Sequence, residues 1–221
     1  MQRIAPWFVS TFASLWSISR RRWAKLLGGL VCFGFGIALM KQANLGLGPW
    51  EVLSDGLSSL TGQKLGTASI VVGIIVLLLW IPMREKPGIG TVLNIFLIGI
   101  VTNLALNLIR STHDMTLQGL WLVFGVGLIG LGSALYLGSQ LGAGPRDGLM
   151  LGLHRKTGWS LRLTRTVIEI VVVLLGYFLG GAVGIGTLVF ALSIGPVIQW
   201  LMWLLGQSAL RSCAGPRRVV I

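Results

Sequence analysis

The sequence predicts an all-α membrane protein: six transmembrane helices as two inverted three-helix repeats, each with a short amphipathic or re-entrant helix after its first span. Three observations lead there. Of 221 residues, 54% are apolar and 11% charged, with mean hydropathy +0.84, too few charges to cover a soluble surface of this size. Six nearly charge-free stretches run at 23–42, 66–82, 89–109, 119–138, 161–180 and 184–206. Each approaches the ~20 residues a helix needs to cross ~30 Å of hydrocarbon, where the backbone must satisfy its own hydrogen bonds. Finally, residues 25–106 recur without a gap at 121–202, with 28 of 82 positions identical.

Residues 1–22 form an N-terminal segment whose apolar part, 5–18, reads as a short interfacial helix. Ser19-Arg20-Arg21-Arg22 follows it in place of a small-residue cleavage site, so no cleaved signal is expected. The first repeat occupies 23–110, an outer connection 111–118, the second repeat 119–206 and a basic tail 207–221. With the N-terminus cytoplasmic, Arg3, Arg20, Arg21, Arg22, Lys25, Arg84, Lys86, Arg146, Arg155, Lys156, Arg162, Arg165, Arg211, Arg217 and Arg218 fall inside. Only Lys41, Lys64 and Arg110 fall outside, so fifteen basic residues face three. That bias places both termini on the cytoplasmic side. The +12 net charge is thereby a topology signal and an attraction to anionic lipid, and nucleic acid is not expected as a partner.

Three spans per copy is an odd number, so the second copy enters the membrane from the opposite side. Inversion of this kind is a recurring transporter architecture, with the site between the halves. After the first span of each copy comes a Gly-Pro motif, Gly48-Pro49-Trp50-Glu51 and Gly144-Pro145-Arg146-Asp147. Gly suits an N-cap, Pro the first helical position, and an acid in the first turn faces the positive dipole end. In the first copy Trp50, Leu53, Leu57 and Leu60 recur at helical spacing opposite Glu51, Ser54, Asp55 and Ser58, and Thr61-Gly62 closes the helix. Two readings stand for these short helices. They dip into the membrane and aim their N-termini at a solute, or they lie flat at the two interfaces. Glu51 and Asp147 are correspondingly capping carboxylates or gate and ligand groups.

Glu169 is the acid deepest within an expected span. An uncompensated charge there costs at least ~3 kcal/mol, so it either pairs with Arg165, four residues earlier, or serves as a coupling carboxylate. Asn94, Asn103 and Gln199 are the buried polar candidates, for interhelical hydrogen bonds or for solute contact; Asn103 and Gln199 are aligned across the repeat. Cys32 and Cys213 fall in different compartments, as do His113 and His154. No metal site or cofactor is expected, and no nucleophile, His and acid share one side of the membrane for enzyme chemistry.

The stretch 44–53, the Thr61-Gly62 turn and Pro87-Gly88-Ile89-Gly90-Thr91 together resemble the YczE-like membrane proteins, within the wider YitT group of bacterial multi-span proteins. The likeness covers roughly residues 23–206. It implies a bacterial inner-membrane protein, and export of, or resistance to, small molecules is the activity suspected for some relatives. Glu51 stands where Asp is more usual, and Arg146 replaces Trp in the second copy, so an aromatic role does not carry over there. The expected function is movement of a small solute or amphiphile by alternating access, with the lipid bilayer as surroundings. The alternative is an accessory protein that docks a protein partner, or a second copy, on its basic face around Arg146, Arg155 and Lys156.

Overall fold

The computed structural model describes residues 19–206. The expected interfacial helix at 5–18 and the tail from 207, with Cys213, lie outside the described residues. Among the described residues there are nine helices and no strand. They are α1 (Arg20–Ala43), α2 (Pro49–Thr61), α3 (Leu65–Leu78), α4 (Trp80–Met83), α5 (Ile89–Leu108), α6 (Met115–Ser139), α7 (Pro145–Thr157), α8 (Leu161–Phe178) and α9 (Ile185–Leu204).

Among the described residues five stretches are long and apolar enough to cross a membrane: Arg20–Ala43, Leu65–Met83, Ile89–Leu108, Met115–Ser139 and Ile185–Leu204. The sixth expected span is a helix, α8, but Arg162, Arg165 and Glu169 in its first half leave it short of that standard. Boundaries move as well. α1 starts at Arg20 rather than 23, taking the three arginines into its first turn. The expected span 66–82 breaks between Leu78 and Trp80, because Pro82 offers no N–H to the Leu78 carbonyl and its ring crowds that oxygen.

The two copies share fine backbone detail. α1 and α6 end on left-handed Asn44 (φ 57°) and Gln140 (φ 55°), aligned positions, followed by Gly46 (φ 114°) and Gly142 (φ 137°). Both conformations are costly for residues with a Cβ, so the glycines hold the turn. The half-length helices then open on N-caps Gly48 (φ −62°, ψ 157°) and Gly144 (φ −61°, ψ 157°), and close on left-handed Gly62 and Gly158.

At the centre α1 packs antiparallel on α6 through glycines. A methyl group at Gly29 would lie 2.8 Å from the Gly132 carbonyl, and one at Gly132 would lie 2.5 Å from that of Gly29. Gly36 and Gly125 make the same exchange at 2.7 and 3.0 Å. Gly29 aligns with Gly125 and Gly36 with Gly132, so the seam is self-complementary. The loops are exchanged too. Gly90 N–H donates to the Leu141 carbonyl (2.9 Å), and the aligned Gly186 N–H donates to that of Leu45 (2.7 Å). Leu26, Leu30, Ile37, Met40, Leu47 and Ile129 fill the core beside this seam.

One pair of aligned helices breaks the correspondence. α3 lies on α5, with Gly66 against Gly99 and the Gly66 N–H donating to Asn103 Oδ1 (2.8 Å). α8 instead lies on α2, where Gly176 and Gly181 meet the backbone of Val52 and Leu53. Arg162 stands at the position of Gly66, so α8 lacks the small residue that close approach requires.

Adjacent glycines test the central seam. Gly28 has nothing within 4 Å of an added methyl, whereas Gly29 is filled by α6. Gly28→Ala is expected to be neutral or stabilising by up to ~1 kcal/mol through helix propensity. Gly29→Ala is expected to cost ~1–3 kcal/mol by overpacking. Thermal midpoints of the two purified variants in detergent measure the difference.

Candidate functional site at the paired helix starts

The two Gly-Pro motifs meet. Arg146, in the first turn of α7, places Nη2 2.6 Å from Oε1 of Glu51, in the first turn of α2. The Glu51 side chain is 3% exposed and that of Arg146 29%. The guanidinium lies 5.3 Å from the ring centre of Trp50 and 6.0 Å from that of Phe33, near the midpoint of α1. These contacts fit rings facing a cation. The ion pair is off the hydrogen-bond axis, however. Neither Glu51 oxygen receives an aligned donor among the described residues, and the charges attract without the geometry that would satisfy either group.

Glycine at each N-cap makes room for the carboxylate three positions on. A methyl group at Gly48 would lie 2.5 Å from Glu51 Oε2, and one at Gly144 would lie 3.1 Å from both Asp147 Oδ2 and the Tyr136 hydroxyl. Tyr136 donates to Asp147 Oδ2, and Asn94 sits beside Gly144. Pro145 accepts through its carbonyl from Trp80 Nε1 (3.0 Å). Trp80 fills the position aligned with Gly176, so side chains wedge α7 from α3 where α2 and α8 touch backbone to backbone.

One turn along α2, Asp55 pairs with Lys41 (2.5 Å) and accepts the Ala182 N–H on Oδ2 (3.0 Å). Glu51, Ser54 and Asp55 are all buried, while Leu60 is 71% exposed. The polar side of α2 is thus buried, meeting cations and a backbone donor there, while Trp50, Leu53 and Leu57 on the other side pack with Val72 and Val172. Asp55 also borders a cleft of about 320 Å³ lined by Lys41, Gln42, Lys64, Asn103 and Asn107 among others. That cleft lies among α1, α2, α3 and α5, all from the first copy. Asn103 faces it while donating from Nδ2 to Thr67 Oγ1 (3.2 Å).

The remaining sequence candidates lie elsewhere. Glu169 accepts from Arg165 Nε (2.8 Å) on a partly exposed face of α8 and touches neither Glu51 nor Arg146 among the described residues, although the Arg165 charge reaches Tyr136. Gln199 is exposed on α9 and is not the buried polar group that its alignment with Asn103 suggested. The reason is the displaced α8, which does not cover α9 as α3 covers α5. Lys41, Tyr136 and Phe33 are site residues that the sequence reading did not group with the motifs. Arg155, proposed for docking, is held by Glu85 (2.6 Å).

Helices of membrane-crossing length, buried ion pairs and an inward-facing polar helix side define a polytopic helical membrane protein. The chain belongs to the family described as "Family of unknown function (DUF6198)", which matches residues 20–202. It is 36% identical to an "Uncharacterized protein" of Haemophilus influenzae over 205 residues, 93% of this chain and 94% of that one. It is also 32% identical to the "Uncharacterized membrane protein YczE" of Bacillus subtilis (81% and 84% covered). A second B. subtilis relative, "Uncharacterized protein YyaS", is 31% identical (72% and 82% covered). The YczE resemblance read from the motifs is therefore confirmed. No solved structure matches significantly.

Proposed function

We propose that the chain is a carrier for a small solute or amphiphile, working by alternating access between two inverted three-span repeats, with α8 as the sixth span. The charge distribution supports both termini in the cytoplasm, and the bacterial relatives support a plasma-membrane setting. The observation that carries the proposal is the unequal placement of two aligned helices, α3 on α5 and α8 on α2. In an inverted-repeat carrier each repeat adopts in turn the arrangement its twin has just left, and the site is exposed to one side at a time. The alternate state then has α8 on α9 and α3 withdrawn from α5. Half-length helices with N-termini meeting at Glu51 and Arg146 supply the central site. The docking alternative draws less support, since Glu85 already neutralises Arg155.

The test requires no knowledge of the solute. Cysteines replace Thr67 and Asn103 in one variant, and the aligned Leu163 and Gln199 in another, with Cys32 and Cys213 changed to Ser. In lipid vesicles both pairs are expected to crosslink, and in a variant carrying all four cysteines one crosslink excludes the other. A 163–199 pair that never forms while 67–103 forms readily sinks the carrier reading.

A further inference from the structure

We infer that the solute is a small organic monoanion, bound through the Arg146 guanidinium in exchange for Glu51, which takes up one proton. The inference rests on the carrier reading and names the substrate class and coupling of that same site.

Arg146 is the first ground. Its guanidinium is backed by Trp50 and Phe33, yet none of its N–H groups reaches an aligned acceptor among the described residues. A planar five-donor fork held against aromatic faces is suited to bidentate capture of a carboxylate or phosphoryl group. Glu51 does not use that fork, since its contact is single and off-axis. The first-turn N–H groups of α2 and α7 lack helical acceptors, and they add positive potential from two sides.

The second ground is Glu51 itself. A carboxylate 97% buried, with both oxygens lacking an aligned donor among the described residues, is stabilised by gaining a proton once its counter-charge is taken. The groups facing it are few. Arg146 and Asp147 lie on α7, Asp55 one turn away on α2, Lys41 on α1 and Tyr136 on α6, with Tyr136 bound to Asp147. α3, α5 and α9 carry no ionisable side chain, and on α8 Arg165, paired with Glu169, is near enough for its charge to act on Tyr136. Protonated Glu51 releases Arg146, and an arriving monoanion replaces the lost negative charge. One proton and one monoanion enter together, and the net charge of the site is unchanged.

The approach favours the same sign. Lys64 and Lys41 line the cleft, and the inward side of α2 runs from there through Asp55 to Glu51. Lys41 and Arg146 are each held by an α2 carboxylate one turn from the other, so a solute anion meets the same exchange twice. In the second copy Leu137 and Leu151 replace Lys41 and Asp55, and that half offers no such stripe. A cationic solute would meet two lysines before it reached Glu51.

Three probes of equal shape separate the charges: benzoate, neutral benzamide and cationic benzamidine, each titrated against the purified full chain between pH 5.5 and 7.5 by thermal shift. Benzoate is expected to stabilise the protein, more strongly at lower pH, by up to about tenfold in affinity per pH unit for one linked proton. Glu51→Gln should bind benzoate without that pH dependence, and Glu169→Gln should keep it. The double variant Glu51→Gln/Arg146→Gln, which strands no charge, should lose benzoate binding. Stabilisation by benzamidine in place of benzoate overturns the inference, and so does benzoate binding that survives the double variant or keeps its pH dependence in Glu51→Gln. Binding of benzoate without the paired crosslinks above would leave the anion site standing and remove the carrier.

Discussion

Arg146→Gln is expected to be the most damaging single polar change in the chain, lowering stability by about 3–5 kcal/mol. The cost does not arise from the lost attraction alone. Among the described residues Glu51 has no other cation within ion-pair distance and no aligned donor, so the substitution leaves a buried acid without its counter-charge. The diagnostic result is rescue: Glu51→Gln/Arg146→Gln should recover most of the loss, because two neutral amides of similar volume leave no uncompensated charge. Arg165→Gln provides the contrast. Its pair with Glu169 is partly open to the surroundings and should cost less than ~1 kcal/mol. Thermal midpoints of the four proteins in one detergent settle the order, and a double variant no better than Arg146→Gln would show the ion pair to be incidental.

Gly66→Ala is expected to rank beside it. The added methyl would fall inside the contact distance of the Gly99 carbonyl oxygen and 2.7 Å from Asn103 Oδ1, and backbone cannot rotate aside as a side chain can. α3 and α5 must separate, weakening the Gly66–Asn103 hydrogen bond and opening the seam between them. A loss of about 2–3 kcal/mol follows from overpacking of a close contact, despite the gain in helix propensity. Gly195→Ala, at the position aligned with Gly99, meets nothing within 4 Å and should be tolerated. Equal sensitivity at both sites would show that α8 covers α9 after all.

Much of the fold is legible from local chemistry. Gly-Pro openings, glycine closures and the four-residue spacing of Arg165 and Glu169 each follow from interactions within a turn or two, and each has its counterpart in the structure. The Glu51–Arg146 pair spans 95 positions, and no local rule brings those two loops together. A signal existed nonetheless: Arg146 stands at the position of Trp50, so one motif carries a lone carboxylate and the other adds a guanidinium beside its own, as two motifs in contact would need. Gln199 shows the opposite limit. Alignment with Asn103 implies an equivalent setting only while the neighbouring helices are equivalent, and α3 and α8 are not. The inward polar side of α2 escaped notice for a related reason, since amphipathic spacing reveals that two sides differ without revealing what covers each.

The crosswise backbone bonds have a consequence for how the chain is made. Leu45 leaves the ribosome about 140 residues before Gly186, the donor its carbonyl requires, and at ~5–20 residues per second that interval is roughly 7–30 s. Glu51 waits through most of the same interval for Arg146. The nascent amino-terminal half therefore passes that interval with its turn unclosed and its acid unneutralised. Maturation is set by the arrival of the carboxyl-terminal half.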